Sequence, residues 1–492
     1  MSAAVAPVSE AFFALQPAAV WRHFATICAT PRASGHEERL RSRLLAWALE
    51  QGLDARVDGA GNLLVAKPAS AGYESAPGFV LQAHLDMVCQ KNSDSMHDFS
   101  RDPIVPVCRD GWLSAEATTL GADNGIGASL ILAALEDRSL AHGPLEALLT
   151  VGEEAGMDGA RGLAPEALHG RAMLNLDSED WGEFYLGCAG GLDVDVSRPG
   201  ASEAVPAGHR GFRIILRGLR GGHSGVDIHE ERGNAIKLLV QVLRKLEQAA
   251  PLRLARLQGG SARNALAREA FACCTLPAAA AADLPAFLTA RQAELRRELA
   301  GVDEGLTLAF ETDDTVAAVL SRAEQAVWLA SLHAAPHGVR RMSRRVPGVV
   351  ETSNNLGMVD LGPQAGSCNF MVRSLIDEGS RALAEEIASL FSLSGTAVRI
   401  GGYYPGWSPD PDSPLLRRCQ SVFRREFHAE AAVKVIHAGL ECGIISGKYP
   451  GMDIVSFGPT IRGAHAPGER VEIASVERCW RLLTAILAER TA

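Results

Sequence analysis

Residues 78–86 read Gly-Phe-Val-Leu-Gln-Ala-His-Leu-Asp, and the parsing of the chain starts from them. Phe79 to Ala83 has the character of a short buried strand that runs straight into a histidine and an aspartate. Two later segments repeat the pattern. Leu145 to Val151 is apolar and ends at Gly152-Glu153-Glu154, and Ala172 to Leu176 ends at Asp177-Ser178-Glu179. Between the first strand and these two, Asn124 to Ala134 reads as a helix that starts from Ala122-Asp123-Asn124-Gly125. Strands alternating with helices predict an open α/β sheet, in which ligands bind beyond the carboxyl ends of strands. That is where these polar residues fall.

Working outward, Ser34-Gly35-His36-Glu37 predicts a capping box with Ser34 at the N-cap. Leu40, Leu44 and Ala48 then continue a helical stripe that Gly52 stops. A turn at Asp58 to Asn62 precedes a strand over Leu63 to Ala66. From about residue 191 the pattern changes to α+β. Strands at Phe212 to Arg217, Leu306 to Phe310, Val349 to Val359, Cys368 to Arg373 and Val398 to Gly401 alternate with helices at Asn234 to Leu246, 283–299, Ala323 to His333 and Ala382 to Leu393. The order of elements suggests two similar units, a duplication inside one inserted domain. Met452 to Phe457, a loop to His465 and a closing helix return to α/β character. The expected division is therefore 1–190 and 404–492 for a split first domain and 191–403 for the insertion, which suits a chain of 492 residues.

Bulk properties exclude several classes. A formal net charge of −10 lacks the basic footprint that nucleic-acid binding needs. No apolar stretch is long enough to span a membrane, and the N-terminal residues do not pattern as a secretory signal. The ten cysteines show no Cys-x-x-Cys spacing, so a reduced, cytoplasmic protein without thiolate zinc is expected.

Individually the polar strand ends have ordinary explanations. Asp123 could be an N-cap, His84 a hydrogen-bonded core histidine, and Asp-Ser-Glu a solvated turn. Collected, His84, Asp86, Asp123, Glu153, Glu154, Asp177 and the distant His465 are too many carboxylates to bury together unless cations neutralise them. Imidazoles with carboxylates are zinc or manganese ligands, and this set could hold two metals. Two competing motifs fail. Gly222-His223-Ser224-Gly225 would need glycine at Val226 to be a nucleophile elbow, and Gly125-Ile126-Gly127 has Leu130 where a dinucleotide fingerprint needs its third glycine.

His84-Leu85-Asp86-Met87-Val88, Gly121-Ala122-Asp123-Asn124-Gly125, Glu153-Glu154-Ala155-Gly156 and Gly463-Ala464-His465 resemble the signature blocks of the M20 family of di-zinc metallopeptidases. Gly187-Cys188-Ala189-Gly190-Gly191, Gly221-Gly222-His223-Ser224-Gly225 and His437-Ala438-Gly439-Leu440-Glu441-Cys442-Gly443 sharpen the resemblance to its aminoacyl-histidine (Xaa-His) dipeptidase branch, over nearly the whole chain. The resemblance implies an α/β catalytic domain with a mostly parallel sheet, split by an inserted lid. It also implies metal-dependent hydrolysis of dipeptides, preferentially Xaa-His, with a broader dipeptidase or an N-acyl amino acid amidohydrolase as alternatives. Asp123 would bridge two divalent metals (zinc first, manganese or cobalt otherwise), with His84 and Asp177 on one and Glu154 and His465 on the other. Asp86 would orient His84, and Glu153 would deprotonate a metal-bridging water. His223 would donate to the oxyanion, Asn264 and Arg373 would hold the substrate carboxylate, and Glu441 the amino group. Departures from the family pattern are Cys89, expected to change loop stiffness, and Gly468, expected to loosen the loop carrying His465. A homodimer through the lid stays open.

Overall fold

The computed structural model describes residues 10–92 and 94–490. Its chain forms two compact units, one of Met1–Gly187, Pro409–Val435 and Leu440–Ala492, the other of Cys188–Ser408 and Ile436–Gly439. The four-residue return at 436–439 is a connection that the expected boundaries did not contain. No helix among the described residues is long and apolar enough to cross a membrane.

The first unit is built on an eight-stranded sheet. Its order is Asp54–Val57, Leu63–Lys67, Leu145–Thr150, Phe79–His84, Ala172–Asn175, Asp453–Ser456, Glu183–Cys188 and Ala432–Ile436. Phe79–His84 pairs in parallel with Leu145–Thr150 and Ala172–Asn175, and Ala172–Asn175 in parallel with Asp453–Ser456. All six residues of Phe79–His84 are buried, as a central strand covered on both faces requires. The helix Ala122–Glu136 packs on it and is itself buried from Asn124 to Leu135, which explains its lack of a polar face. Four parallel strands side by side open their carboxyl ends on one edge. The segments that follow them carry His84, Glu153 and Glu154, Asp177, and His465.

The helix Glu38–Glu50 forms as expected, and Gly52 follows it at φ +78°. The capping box does not form. Glu37 is the N-cap residue and makes no capping bond. Ser34 Oγ donates instead to Asp86 Oδ2 at 2.7 Å, and Glu37 Oε1 accepts from the N–H groups of Gly35 (2.9 Å) and Gly152 (3.0 Å). Buried acceptors and donors near the sheet edge need partners more than a helix end that water can reach.

The second unit is a nine-stranded antiparallel sheet, and its topology resolves the duplication. Eight strands run in the order Thr307–Thr312, His209–Arg217, Ala270–Pro277, Arg253–Gly259, Val350–Leu361, Ala365–Ser374, Gly190–Pro199 and Ala397–Tyr404. Each half is a β-α-β-β-α-β unit, with helices Ala235–Ala249 and Leu284–Glu298 in one and Arg322–Ala334 and Asp377–Leu393 in the other. The halves join where Leu257, Gln258 and Gly259 pair with Leu361, Asp360 and Val359. Gly190–Pro199, the first strand of one half, precedes the whole of the other half in sequence, so the repeats are nested rather than consecutive. Leu239, Leu288, Trp328 and Phe391 from the four helices share one core with Ile214, Leu254 and Phe370 from the sheet.

Candidate metal centre and active site

The constellation assembles around Asp123. Its Oδ1 lies 3.1 Å from His84 Nε2 and its Oδ2 lies 3.1 Å from His465 Nε2, so one carboxylate faces two imidazoles. Asp177 Oδ1 is 3.4 Å from His84 Nε2, and Glu154 Oε1 is 2.9 Å from His465 Nε2. Ligand atoms of His84, Asp123 and Glu154 lie within 4.8 Å of one another, close enough to hold a metal ion. His84 thus stands beside Asp177, and His465 beside Glu154, with Asp123 in contact with both rings.

Local structure aims each side chain. His465 takes φ +64° after Gly463 at φ +69°, a doubled-back loop that turns its ring toward Asp123. Glu153 and Glu154 open a single helical turn, Glu153–Gly156, between Gly152 (φ +66°) and Met157 (φ +61°). Their N–H groups donate to the two oxygens of Asp86, at 3.0 Å to Oδ1 and 3.1 Å to Oδ2. Asp86 is fully buried, and its Oδ1 also lies 3.4 Å from His84 Nδ1. That contact holds the ring by Nδ1 with Nε2 turned toward Asp123 and Asp177.

The electrostatics describe a site that needs cations. Burial alone would strip the proton from His84, but Asp177, Asp123 and Asp86 hold its pKa well above the ordinary imidazole value. Hydrogen bonds to Asp123 and Glu154 push His465 up to about 11. Burial raises Asp177 to about 6, with Asp123 and Glu154 adding and His84 opposing. Glu153 is raised well above the carboxylate range, first by burial, then by Asp177, Glu154 and Glu441 against His84. Imidazolium protons thus stand between nitrogen and carboxylate where dications would serve the same purpose. A donor set of imidazole nitrogens and carboxylate oxygens fits zinc-class ions.

Several supporting residues escaped the sequence reading. Arg32 is buried, and its Nη1 donates to the carbonyls of Leu85 (2.8 Å) and Asp86 (2.7 Å), its Nη2 to that of Gly121 (2.5 Å). Glu469 accepts from the N–H groups of Leu120 (2.8 Å), Gly121 (2.8 Å) and Asp123 (3.1 Å). These two charges grip the turn that carries Asp123 by its carbonyl and by its amides. The loop after His465 is therefore tied down at Glu469, although Gly468 beside it takes φ +109° with open space around it. Cys89 lies past the ligands, its Sγ donating to Met87 O at 3.8 Å. Asn124 Nδ2 donates to Asp177, and a side chain at Gly127 would collide with Asn124 and Leu176, which gives Gly127 a packing reason unrelated to nucleotides. Only Glu469 had a visible signal, an acid shortly after a candidate ligand.

Glu441 lies fully buried beneath this edge. Its Oε2 accepts from Thr150 Oγ1 (2.6 Å) and Gln82 Nε2 (2.7 Å), while Oε1 has no hydrogen-bond partner among the described residues. Burial raises its pKa to about 7.

In the second unit the structure brings His223 and Arg373 together. His223 Nδ1 accepts from the N–H groups of Gly225 (3.1 Å) and Val226 (3.0 Å), which places the neutral ring's proton on Nε2. Burial and Arg373 push its pKa down to about 4. Asn264 is exposed on the adjoining turn, where its carbonyl accepts from Ser224 N–H at 2.8 Å. Asn355 Nδ2 fixes that turn through the carbonyls of Arg263 (3.0 Å) and Ala265 (2.9 Å).

A carboxylate shared between two imidazoles at the edge of a parallel sheet, beside a second glutamate with a raised pKa, defines a metal-dependent hydrolase site. Residues 80–489 match the sequence profile of Peptidase family M20/M25/M40, and the chain belongs to that family. It is 45% identical to the cytosol non-specific dipeptidase of Escherichia coli K12, over 475 residues that cover 96% of this chain and 98% of the relative. The crystal structure of the aminoacylhistidine dipeptidase from Vibrio alginolyticus matches with a TM-score of 0.89 and 43% identity, covering 98% of this chain and 99% of that one. A tripeptidase from Staphylococcus aureus, 17% identical with a TM-score of 0.55, shares the fold.

Proposed function

We propose that the protein is a metal-dependent dipeptidase that hydrolyses Xaa-His dipeptides such as β-alanyl-histidine in preference to others. The observation that carries this reading is Asp123, whose two oxygens face His84 and His465 separately. On this reading Asp123 would serve both of two divalent ions, zinc or another, with His84 and Asp177 the further residues that would hold one and Glu154 and His465 those that would hold the other. Bound there, the metals would supply Lewis acidity and lower the pKa of water.

The protein's own groups account for the remaining chemistry. Glu153 binds no metal and takes the proton of the attacking water, then returns it to the leaving amine. A half-buried carboxyl with an upward-shifted pKa suits both halves of that task. His223, neutral and protonated on Nε2, donates to the developing oxyanion without bringing a charge of its own. Arg373 and Asn264 hold the substrate's carboxylate. The unpartnered Glu441 Oε1 is the acceptor left for its amino group. The relatives' printed names, one non-specific and one aminoacylhistidine-directed, support the substrate class and bracket its breadth. The name of the Escherichia coli relative also supports a cytoplasmic location. A homodimer remains part of the proposal.

The test is a metal-titrated assay on β-alanyl-histidine, other Xaa-His and Xaa-Leu dipeptides, a tripeptide and an N-acetyl amino acid. Stripped protein should be inactive, and added zinc, manganese or cobalt should restore cleavage of dipeptides, fastest with histidine second. Glu153→Ala should lose about a thousandfold in kcat with its metal content unchanged. Activity confined to the N-acetyl compound overturns the dipeptidase reading, and an unchanged rate in Glu153→Ala overturns the base.

A further inference from the structure

Arg373 is only 4% exposed, yet among the described residues the hydrogen-bond partners of its guanidinium are all neutral. Nη1 donates to the Tyr404 hydroxyl at 2.8 Å, Nε to Ser224 Oγ at 3.4 Å, and Nη2 stands 3.5 Å from His223 Nε2. A buried cation without a counter-ion is costly, so the arrangement awaits an anion. The His223 tautomer points the same way. With Nδ1 occupied by two backbone N–H groups, Nε2 carries the proton, and two donors then face each other across 3.5 Å. An acceptor shared between them would reconcile the pair.

Two motif glycines shape this cluster. A Cβ on Gly191 would lie 2.6 Å from the Tyr404 hydroxyl oxygen and 2.8 Å from the ring carbon that bears it. A Cβ on Gly225 would meet the His437 carbonyl oxygen first, at 1.9 Å, and Cδ and Nε of Arg373 next, at 3.0 Å. Gly191 belongs to Gly187-Cys188-Ala189-Gly190-Gly191 and clears space for the Tyr404 phenol, while Gly225, in Gly221-Gly222-His223-Ser224-Gly225, lies against both the His437 backbone and the Arg373 side chain. Gly191 also pairs directly with Arg373 across the sheet and with Tyr404 on its other side, which fixes all three in register.

From this geometry we infer that Tyr404 is a positioning residue of the substrate-carboxylate site, its hydroxyl holding Nη1 so that the rest of the Arg373 fork faces the anion. The inference rests on the assignment of Arg373 to the substrate's carboxylate. Removing the hydroxyl leaves the guanidinium buried and free to rotate. Binding of the carboxylate then weakens in ground state and transition state alike, while Glu153 and the metal ligands are untouched.

The experiment compares Tyr404→Phe and Arg373→Met with wild type on the best dipeptide. It adds inhibition by free histidine and by histamine, which lacks the carboxylate. Tyr404→Phe should raise KM and the inhibition constant of histidine about tenfold, with kcat within about twofold and histamine inhibition unchanged. Arg373→Met should do the same more severely. An unchanged KM in Tyr404→Phe, or a fall in kcat as large as the rise in KM, overturns the role of Tyr404 while Arg373→Met still reports on the carboxylate site. An unchanged KM and histidine inhibition in Arg373→Met overturns the carboxylate assignment itself.

Discussion

Asp86 gathers four donors onto two buried oxygens: Ser34 Oγ–H, the N–H groups of Glu153 and Glu154, and the Nδ1 side of His84. Burial would raise its pKa, but the bond to His84 and its charge, with Ser34 and the Glu154 amide, outweigh burial and pull the carboxyl below its ordinary range. One carboxylate therefore orients the His84 ring and also anchors the turn that presents Glu153 and Glu154. Asp86→Ala should lower metal affinity about 10- to 100-fold, read by competition with a chromophoric chelator. Affinity within about twofold of wild type would show that His84 and the glutamate turn orient themselves without it. Asp86 was legible as a partner of His84 only through the family resemblance, which implied that it orients that ring. Its grip on the Glu153–Glu154 amides was not legible, since a contact across 67 residues leaves no spacing to read. The same holds for Arg32, an arginine in an unpatterned loop whose partners are all backbone carbonyls.

At the scale of elements, the loop from Gly463 to Glu469 and the turn from Leu120 to Asp123 behave as one piece. Glu469 joins them through three amides, and burial together with the nearby Asp123 charge raises its pKa against those bonds. Glu469→Ala would leave three N–H groups without their acceptor. At about 1–3 kcal/mol for a buried unpaired group, with some relief from entering water, a loss of at least about 2 kcal/mol in urea unfolding is expected. Zinc affinity should fall as well, because Asp123 and His465 lose their common tether. A variant as stable as wild type would mean that the turn holds its shape alone. Regular elements were the most legible part of the fold. Phe79–His84, Leu145–Thr150 and the helix Ala122–Glu136 follow from apolar runs and their polar ends. The capping box at Ser34 was misread because helix-start residues can be diverted to a buried site that lies nowhere near them in sequence.

At the scale of the whole molecule, the nested duplication explains why the repeats were only partly visible. Gly190–Pro199 is separated from the rest of its half by all of the other half, so a search for consecutive units finds one repeat lacking its first strand. The unit built on this sheet contains two histidines, His223 and His437, that burial keeps uncharged, and this has a consequence for acid stability. His437 is 6% exposed, with Nε2 at 2.7 Å from Ser353 Oγ. Burial, then Arg373, His223 and His229, push its pKa down to about 3 against a backbone contact at Val350. His223 is held at about 4 by burial and Arg373, with Asp227 opposing. The unfolded chain takes up protons at both rings near the ordinary value of about 6.5, whereas the folded chain refuses them until pH 3–4. Depressed imidazole pKa values therefore contribute stability that is present above about pH 6.5 and is lost as pH falls toward the folded values, by about 1.4 kcal/mol per pH unit for each ring. Urea midpoints measured from pH 7 to pH 4 should fall steeply in wild type. In His437→Gln, which keeps a partner for Ser353 but cannot titrate, the fall should be shallower by the contribution of one ring. Parallel curves for the two proteins would remove His437 from the acid response and leave the loss to the carboxylates of the metal centre.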